Sequence, residues 1–177
     1  LALGAGVHTG ENNIAIGKGT GEDLTSGFIN IAIGVCTLNA STTGCRNIGI
    51  GQCVMGGAVT TGNLNFGVGL AALDALTSGA SNIAIGTNAG GSSTTGCQNI
   101  AIGPNAMSEC TATGSKNVYI GDSSGAKNAA GAFNVGVGNV TLDNVTSGNY
   151  HVAVGHNAGA SVTTTDCTVN IGKTANK

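Results

Sequence analysis

The chain has 177 residues with a formal net charge of -2, 32 glycines, one proline and no tryptophan; 8% of its residues are charged and 3% aromatic. Glycine this frequent without a three-residue period excludes collagen, and 41% apolar residues with so little charge exclude a polar disordered linker. No Lys/Arg cluster marks a nucleic-acid or anionic-membrane partner, and no apolar run approaches the roughly 18 residues of a membrane span.

In chain order the first recurring element is a five-residue unit of Asn, aliphatic, small, aliphatic, Gly. It occupies Asn13 to Gly17, Asn30 to Gly34, Asn47 to Gly51, Asn65 to Gly69, Asn82 to Gly86, Asn99 to Gly103, Asn117 to Gly121 and Asn134 to Gly138. His151 to Gly155 and a degenerate Thr168 to Gly172 complete ten copies, and the closing glycines follow one another at intervals of 17 or 18 residues. Leu1 to Gly4 resembles the end of such a unit, so the sequence reads as a piece of a longer fibre protein forming one repeat domain over residues 1–177.

A second glycine lies seven residues before each closing glycine from Gly17 to Gly155: Gly10, Gly27, Gly44, Gly62, Gly79, Gly96, Gly114, Gly131 and Gly148. Two glycines at fixed phase predict two turns per coil, hence two short strands per coil. The first strand is the Asn unit, whose alternation puts Ile83 and Ile85, or Val135 and Val137, on one face. The second segment carries Leu38, Met55, Leu73, Met107 or Leu142 at the fourth position after the glycine, and reads as a strand or an irregular return.

A single such coil cannot bury its aliphatic pair, whereas copies stacked about 4.8 Å apart share a thin continuous core. The expected fold is all-β, a parallel β-solenoid of about ten 17- to 18-residue coils. A helical repeat, which Leu70 to Leu76 superficially suits, would carry two unfavourable glycines per period.

The position between the aliphatics holds Ala15, Ala32, Gly49, Gly67, Ala84, Ala101, Gly136 or Ala153, where a solvated face would show polar residues. Something packs closely there, either the return segment or a neighbouring chain. Tyr119 breaks this column as a larger filler or as an exposed contact residue. The column of Asn13, Asn30, Asn47, Asn65, Asn82, Asn99, Asn117 and Asn134 is expected to form a structural ladder of side-chain amides that satisfies the turn backbone.

The run Asn82 to Gly90 with its Thr94 to Gly96 turn resembles the repeats of phage tail fibres, and is similar to the head repeats of trimeric autotransporter adhesins of the YadA-like kind. The resemblance extends over nearly the whole chain. It implies a parallel β-roll or β-helix, three identical chains in a homotrimeric fibre, and a role in host attachment at a virion or cell surface, with a receptor or glycan as partner. Coils of 17 to 18 residues are longer than the usual bacterial heads, which favours the shaft of a viral fibre over a bacterial adhesin.

No Cys-x-x-Cys pair suggests a metal or redox site among Cys36, Cys45, Cys53, Cys97, Cys110 and Cys167. Cys36 and Cys53 share a phase in adjacent coils, about 5 Å apart, so a disulfide between them is a candidate. Cys45 and Cys97 lie three coils apart and read as small buried fillers.

The carboxylates are scattered, and Glu22 with Asp23, the only adjacent pair, would point opposite ways in an extended segment. Among His8, His151 and His156, His151 replaces an asparagine of the ladder; His156, Ser161 and Asp166 lack the context of a nucleophile motif. Gly67-Val68-Gly69 is a product of the repeat, not a phosphate loop. An enzyme is therefore not expected, nor a cofactor. Paired threonines such as Thr42-Thr43 raise an ice-binding surface as a lesser reading, opposed by the fact that adjacent strand residues face opposite sides.

Overall fold

A computed structural model describes residues 9–109 and 112–175, so His8 and Cys110 lie outside the described residues. Among the described residues the chain forms ten short strands: β1 (Ile14–Ile16), β2 (Ile31–Val35), β3 (Ile48–Gln52), β4 (Phe66–Leu70), β5 (Ile83–Ile85), β6 (Ile100–Ile102), β7 (Val118–Ile120), β8 (Val135–Val137), β9 (Val152–Val154) and β10 (Val169–Ile171). They build one parallel sheet in sequence order, and the register pairs equivalent repeat positions, Ile83 with Ile100 and Ala84 with Ala101. The fold is a β-solenoid of about nine turns.

Strands of three to five residues have no stability alone, and their main-chain groups are satisfied by neighbouring coils. The Ile83 amide donates to the Asn99 carbonyl at 2.8 Å in the following coil, and the Gly86 amide donates to the Val68 carbonyl at 2.8 Å in the preceding one. The two 18-residue intervals leave the sheet unshifted, since Ile48 still pairs with Phe66 and Ile100 with Val118. Each extra residue is absorbed outside the strands.

Two expectations are corrected. Each coil contains one strand, not two: the return segment takes positive φ at the second and fourth positions after the closing glycine, as at Cys36 (52°) and Leu38 (50°) or Ala71 (55°) and Leu73 (54°). These residues bend the chain back within a few positions, which an extended strand could not do. The return still bonds from coil to coil, with the Cys36 amide donating to the Lys18 carbonyl and the Leu38 amide to the Val54 carbonyl, both at 2.9 Å.

The second correction concerns the core. The small residues of the strand, not its aliphatic pair, point inward: Ala84 and Ala153 are fully buried, while Ile16 is 58% and Ile171 69% exposed. The return supplies the large core side chains Leu38, Met55, Leu73, Met107 and Leu142, supported by Leu76 and Val145. In a coil this narrow the side chains of the return fill the interior, so the strand residue opposite them is small.

Local exchanges of volume follow the same rule. Val54 stands close to both Gly49 and Gly67, and a Cβ on Gly49 would lie 3.4 Å from its Cγ1 and 2.7 Å from the Thr37 methyl. Tyr119 occupies the small-residue column and is fully buried, as the filler reading requires. Its ring uses the space of the missing side chain at Gly125, where five other coils carry Leu or Met: a Cβ there would meet the ring at 2.5 Å. The Tyr119 hydroxyl accepts a 2.7 Å hydrogen bond from Asn128 Nδ2, and burial holds its pKa well above the usual phenol range.

Candidate functional site

Two features run the length of the solenoid, one internal and one external. The internal one is the asparagine column. From Asn13 to Asn134 each Nδ2 donates to the carbonyl of a turn glycine in the next coil, at 2.8 Å from Asn13 to Gly27, 2.8 Å from Asn82 to Gly96 and 2.9 Å from Asn134 to Gly148. Each Oδ1 accepts the main-chain N–H of the next column residue, as at 2.9 Å from Asn30 to Asn13 and from Asn99 to Asn82. Nδ2 of Asn30, Asn65, Asn82 and Asn117 also donates to the preceding Oδ1 at 3.1 Å. One amide thus satisfies a carbonyl and an N–H that would otherwise be buried without partners.

His151 imitates this amide. Its main-chain N–H donates to Asn134 Oδ1 at 3.0 Å, and its Nδ1 accepts the Thr168 N–H at 3.3 Å. Nδ1 must therefore be unprotonated, and the neutral ring carries its proton on Nε2. Nε2 is buried beside the Thr165 carbonyl, where other coils present a turn glycine, without a well-formed hydrogen bond. Burial lowers the His151 pKa, offset in part by the Thr165 carbonyl and by Asp166.

Because the folded state prefers the neutral ring, its stabilisation is complete above the ordinary histidine value of 6.5 and is lost as pH falls through the lowered folded value. In urea titrations, stability should therefore decrease from pH 7.5 to pH 5. His151→Asn, which restores the ladder without a titrating group, should remove the part of that decrease due to this residue.

Cys36 and Cys53 stand in the same column of adjacent coils and are half-buried free thiols. Burial raises the Cys53 pKa, with further contributions from Cys36 and Asp74. Cys45 and Cys97 are half-buried rather than buried, each with its thiol directed at a nearby carbonyl, Thr43 at 3.2 Å and Thr95 at 3.5 Å.

Glu22, Asp23, His156, Ser161 and Asp166 are all exposed. Among the described residues no cluster of three or more His, Cys, Asp or Glu could hold a metal ion, and no helix is long and apolar enough to cross a membrane. Threonine hydroxyls bond from coil to coil: Thr25 Oγ1 donates to the Thr42 carbonyl at 3.1 Å and Thr77 Oγ1 to the Thr94 carbonyl at 3.0 Å.

The external feature is the outward side of the sheet. Its two inner columns contain only Ile, Val and Phe, from Ile14 and Ile16 to Val169 and Ile171. Exposed residues flank them, one before each column asparagine and one after each closing glycine, including Ile29, Leu64, Phe133 and Tyr150 on the first edge and Val35 and Leu70 on the second. On the first edge Phe133 and Tyr150 stack with centroids 5.0 Å apart, and the Lys116 ammonium lies 5.0 Å from the Phe133 centroid.

With ten rows at about 4.8 Å and a width of about 20 Å, the face covers on the order of 1,000 Å². The whole face, its partly polar edges included, matches one side of a stable protein interface, about 800 Å², and its two aliphatic columns make up about half of it.

The architecture defines the chain as a parallel β-solenoid repeat protein. It matches no protein-family model, and neither the curated proteins nor the solved structures compared with it give a match.

Proposed function

We propose that the chain is a structural segment of an attachment fibre, assembled from three identical copies that cover one another's aliphatic faces. The observation that carries this reading is the uninterrupted outward column of Ile, Val and Phe. Water-exposed aliphatic area of this size is costly, and its burial is favourable by about 25 cal/mol per Å².

A second copy suits the face better than an unrelated partner does. Its side chains repeat at the strand spacing, and another copy has the same repeat by construction. Stacked coils supply length and stiffness, the role expected of a viral tail-fibre shaft or, alternatively, of a bacterial trimeric autotransporter head. Contact with a host receptor or glycan would then fall to exposed turns or to other parts of the fibre.

Light scattering should give a mass near three chains, unchanged by reductant because the proposed association rests on apolar contact between the faces. Ile83→Glu with Ile85→Glu, on a face that is exposed in the single chain, should give the mass of one chain with an unchanged circular dichroism spectrum. A wild-type protein that stays monomeric at high concentration would rule the proposal out.

A further inference from the structure

We propose that Cys36 and Cys53 form a redox-responsive brace: two thiols under reducing conditions, and a disulfide joining the second and third coils of one chain after reaction with a small-molecule disulfide. The brace belongs to a single solenoid and does not depend on the association proposed above. Among the described residues no other two cysteines share a column in adjacent coils. Cys45 is flanked in its column by Phe28 and Asn63, Cys97 by Ala80 and Ser115, and Cys167 follows Tyr150.

The main chain aligns the pair. β2 and β3 are paired as far as Val35 with Gln52, and each cysteine is the next residue. The Cys36 amide donates to the Lys18 carbonyl and the Cys53 amide to the Val35 carbonyl, both at 2.9 Å, and the two φ angles are 52° and 54°. Residues held alike at a coil spacing of about 4.8 Å fall inside the Cα separation of about 4.4 to 6.8 Å that a disulfide spans. The Cβ atoms must close to about 4.5 Å or less, which draws them together by a few tenths of an ångström.

The surroundings leave room for this. Both thiols are half-buried, so a small reagent reaches them from solvent. Gly19 before them and Ala71 after them in the column carry no group that competes for the sulfurs, and Cys36 Sγ lies 3.4 Å from where a Cβ on Gly19 would stand. Turning that sulfur toward the next coil is a rotation between staggered wells. Gly56 brings the third coil close at this point: a Cβ there would collide with the Cys36 carbonyl oxygen and lie 3.3 Å from the Cys53 Cα. Burial first, and the charge of Cys36 after it, raise the Cys53 pKa, in keeping with neighbouring sulfurs.

Oxidised glutathione is a sufficient oxidant. One protein thiolate attacks a sulfur of the reagent, which leaves a mixed disulfide on the protein and releases one glutathione. The second protein thiolate then attacks the protein sulfur of that mixed disulfide and displaces the other glutathione. Two protein thiols are oxidised, one reagent molecule is reduced by two electrons to two thiols, and the protons pass to the released thiolates. The bond encloses residues 36–53, one full coil, so it restricts the unfolded chain while leaving the solenoid in place.

The test uses the protein with Cys45, Cys97, Cys110 and Cys167 replaced by Ser, which isolates the pair, alongside the wild type with its six thiols. After equilibration with oxidised glutathione and alkylation, mass spectrometry should show Cys36 linked to Cys53 within one chain and no glutathione retained on either. In the wild type both residues should likewise escape alkylation. Cys36→Ser should instead hold Cys53 as a stable glutathione adduct. Oxidation should raise the urea midpoint by at least about 0.5 M, reversed by reductant and absent from Cys36→Ser and Cys53→Ser.

Glutathione adducts on both cysteines, or two thiols that stay unreacted, would overturn the proposal. So would a link between chains, seen as a band of doubled mass on a non-reducing gel. A bridge that forms without raising the midpoint would show a strained bond and remove the bracing role. Circular dichroism of the reduced variants, expected to match the wild type, separates loss of the bridge from loss of the fold.

Discussion

Gly86→Ala is expected to lower the unfolding free energy by about 4 kcal/mol or more, far above the usual effect of a single methyl group. Gly86 has φ +133°, a conformation side chains rarely adopt, and its added Cβ would lie 2.7 Å from the Gly103 carbonyl oxygen and 2.8 Å from the carbonyl carbon. Both obstacles are backbone, so no side chain can rotate away. Relief requires adjacent coils to separate, which breaks the bonds between them, including the one from the Gly103 amide to the Ile85 carbonyl at 2.8 Å.

Gly172→Ala is the internal comparison. Its φ is +117°, yet nothing lies within 4 Å of the added Cβ. It should show the conformational strain alone, about 1 to 3 kcal/mol. The difference between the two urea midpoints measures what close stacking demands of a coil. Similar losses at both positions would mean that the dihedral angle, not the neighbouring coil, selects glycine.

Asn82→Ala should cost about 3 kcal/mol with no change in exposed shape, because the side chain is 1% exposed. The substitution strands the Gly96 carbonyl, which accepts from Nδ2 at 2.8 Å, and the Asn99 N–H, which donates to Oδ1 at 2.9 Å. Each buried main-chain group left unpaired costs about 1 to 3 kcal/mol. Nearest-neighbour coupling in a solenoid adds a second signature: a weakened central coil lets the two halves unfold separately, so the transition broadens and its denaturant slope falls. Hydrogen exchange should show the loss first at the Asn99 amide. An unchanged midpoint would mean that water replaces the amide and that the ladder contributes no stability.

Much of this architecture is legible in the repeat. Asparagine and glycine at constant phase require one conformation to recur, and a period of 17 or 18 residues requires equivalent residues to stack, so the parallel register Ile83 to Ile100 follows from the spacing. The position of the asparagine column beside the turn could also be read, since a short amide is the side chain suited to bonding nearby backbone. The ladder's partners, a turn-glycine carbonyl and the next N–H, could not, because they depend on how far one coil is displaced from the next.

Sidedness was decided by the tertiary structure. Alternation separates Ala84 from Ile83 and Ile85 but is silent on which set faces inward, and the larger residues are outside because the return already fills the interior with Leu73 and Leu76. The return itself misled as a second strand: its glycines mark turns, but the positive φ of Leu38, Met55 and Leu73 belongs to residue types that rarely adopt it and is imposed by the closure of the coil. Sequence by itself determined the repeat, the parallel stacking and the polar column, because these depend on period and phase. The single strand per coil, the place of Tyr119 over Gly125 and the outward aliphatic face depend on volume shared between segments distant in sequence, which only the closed coil defines.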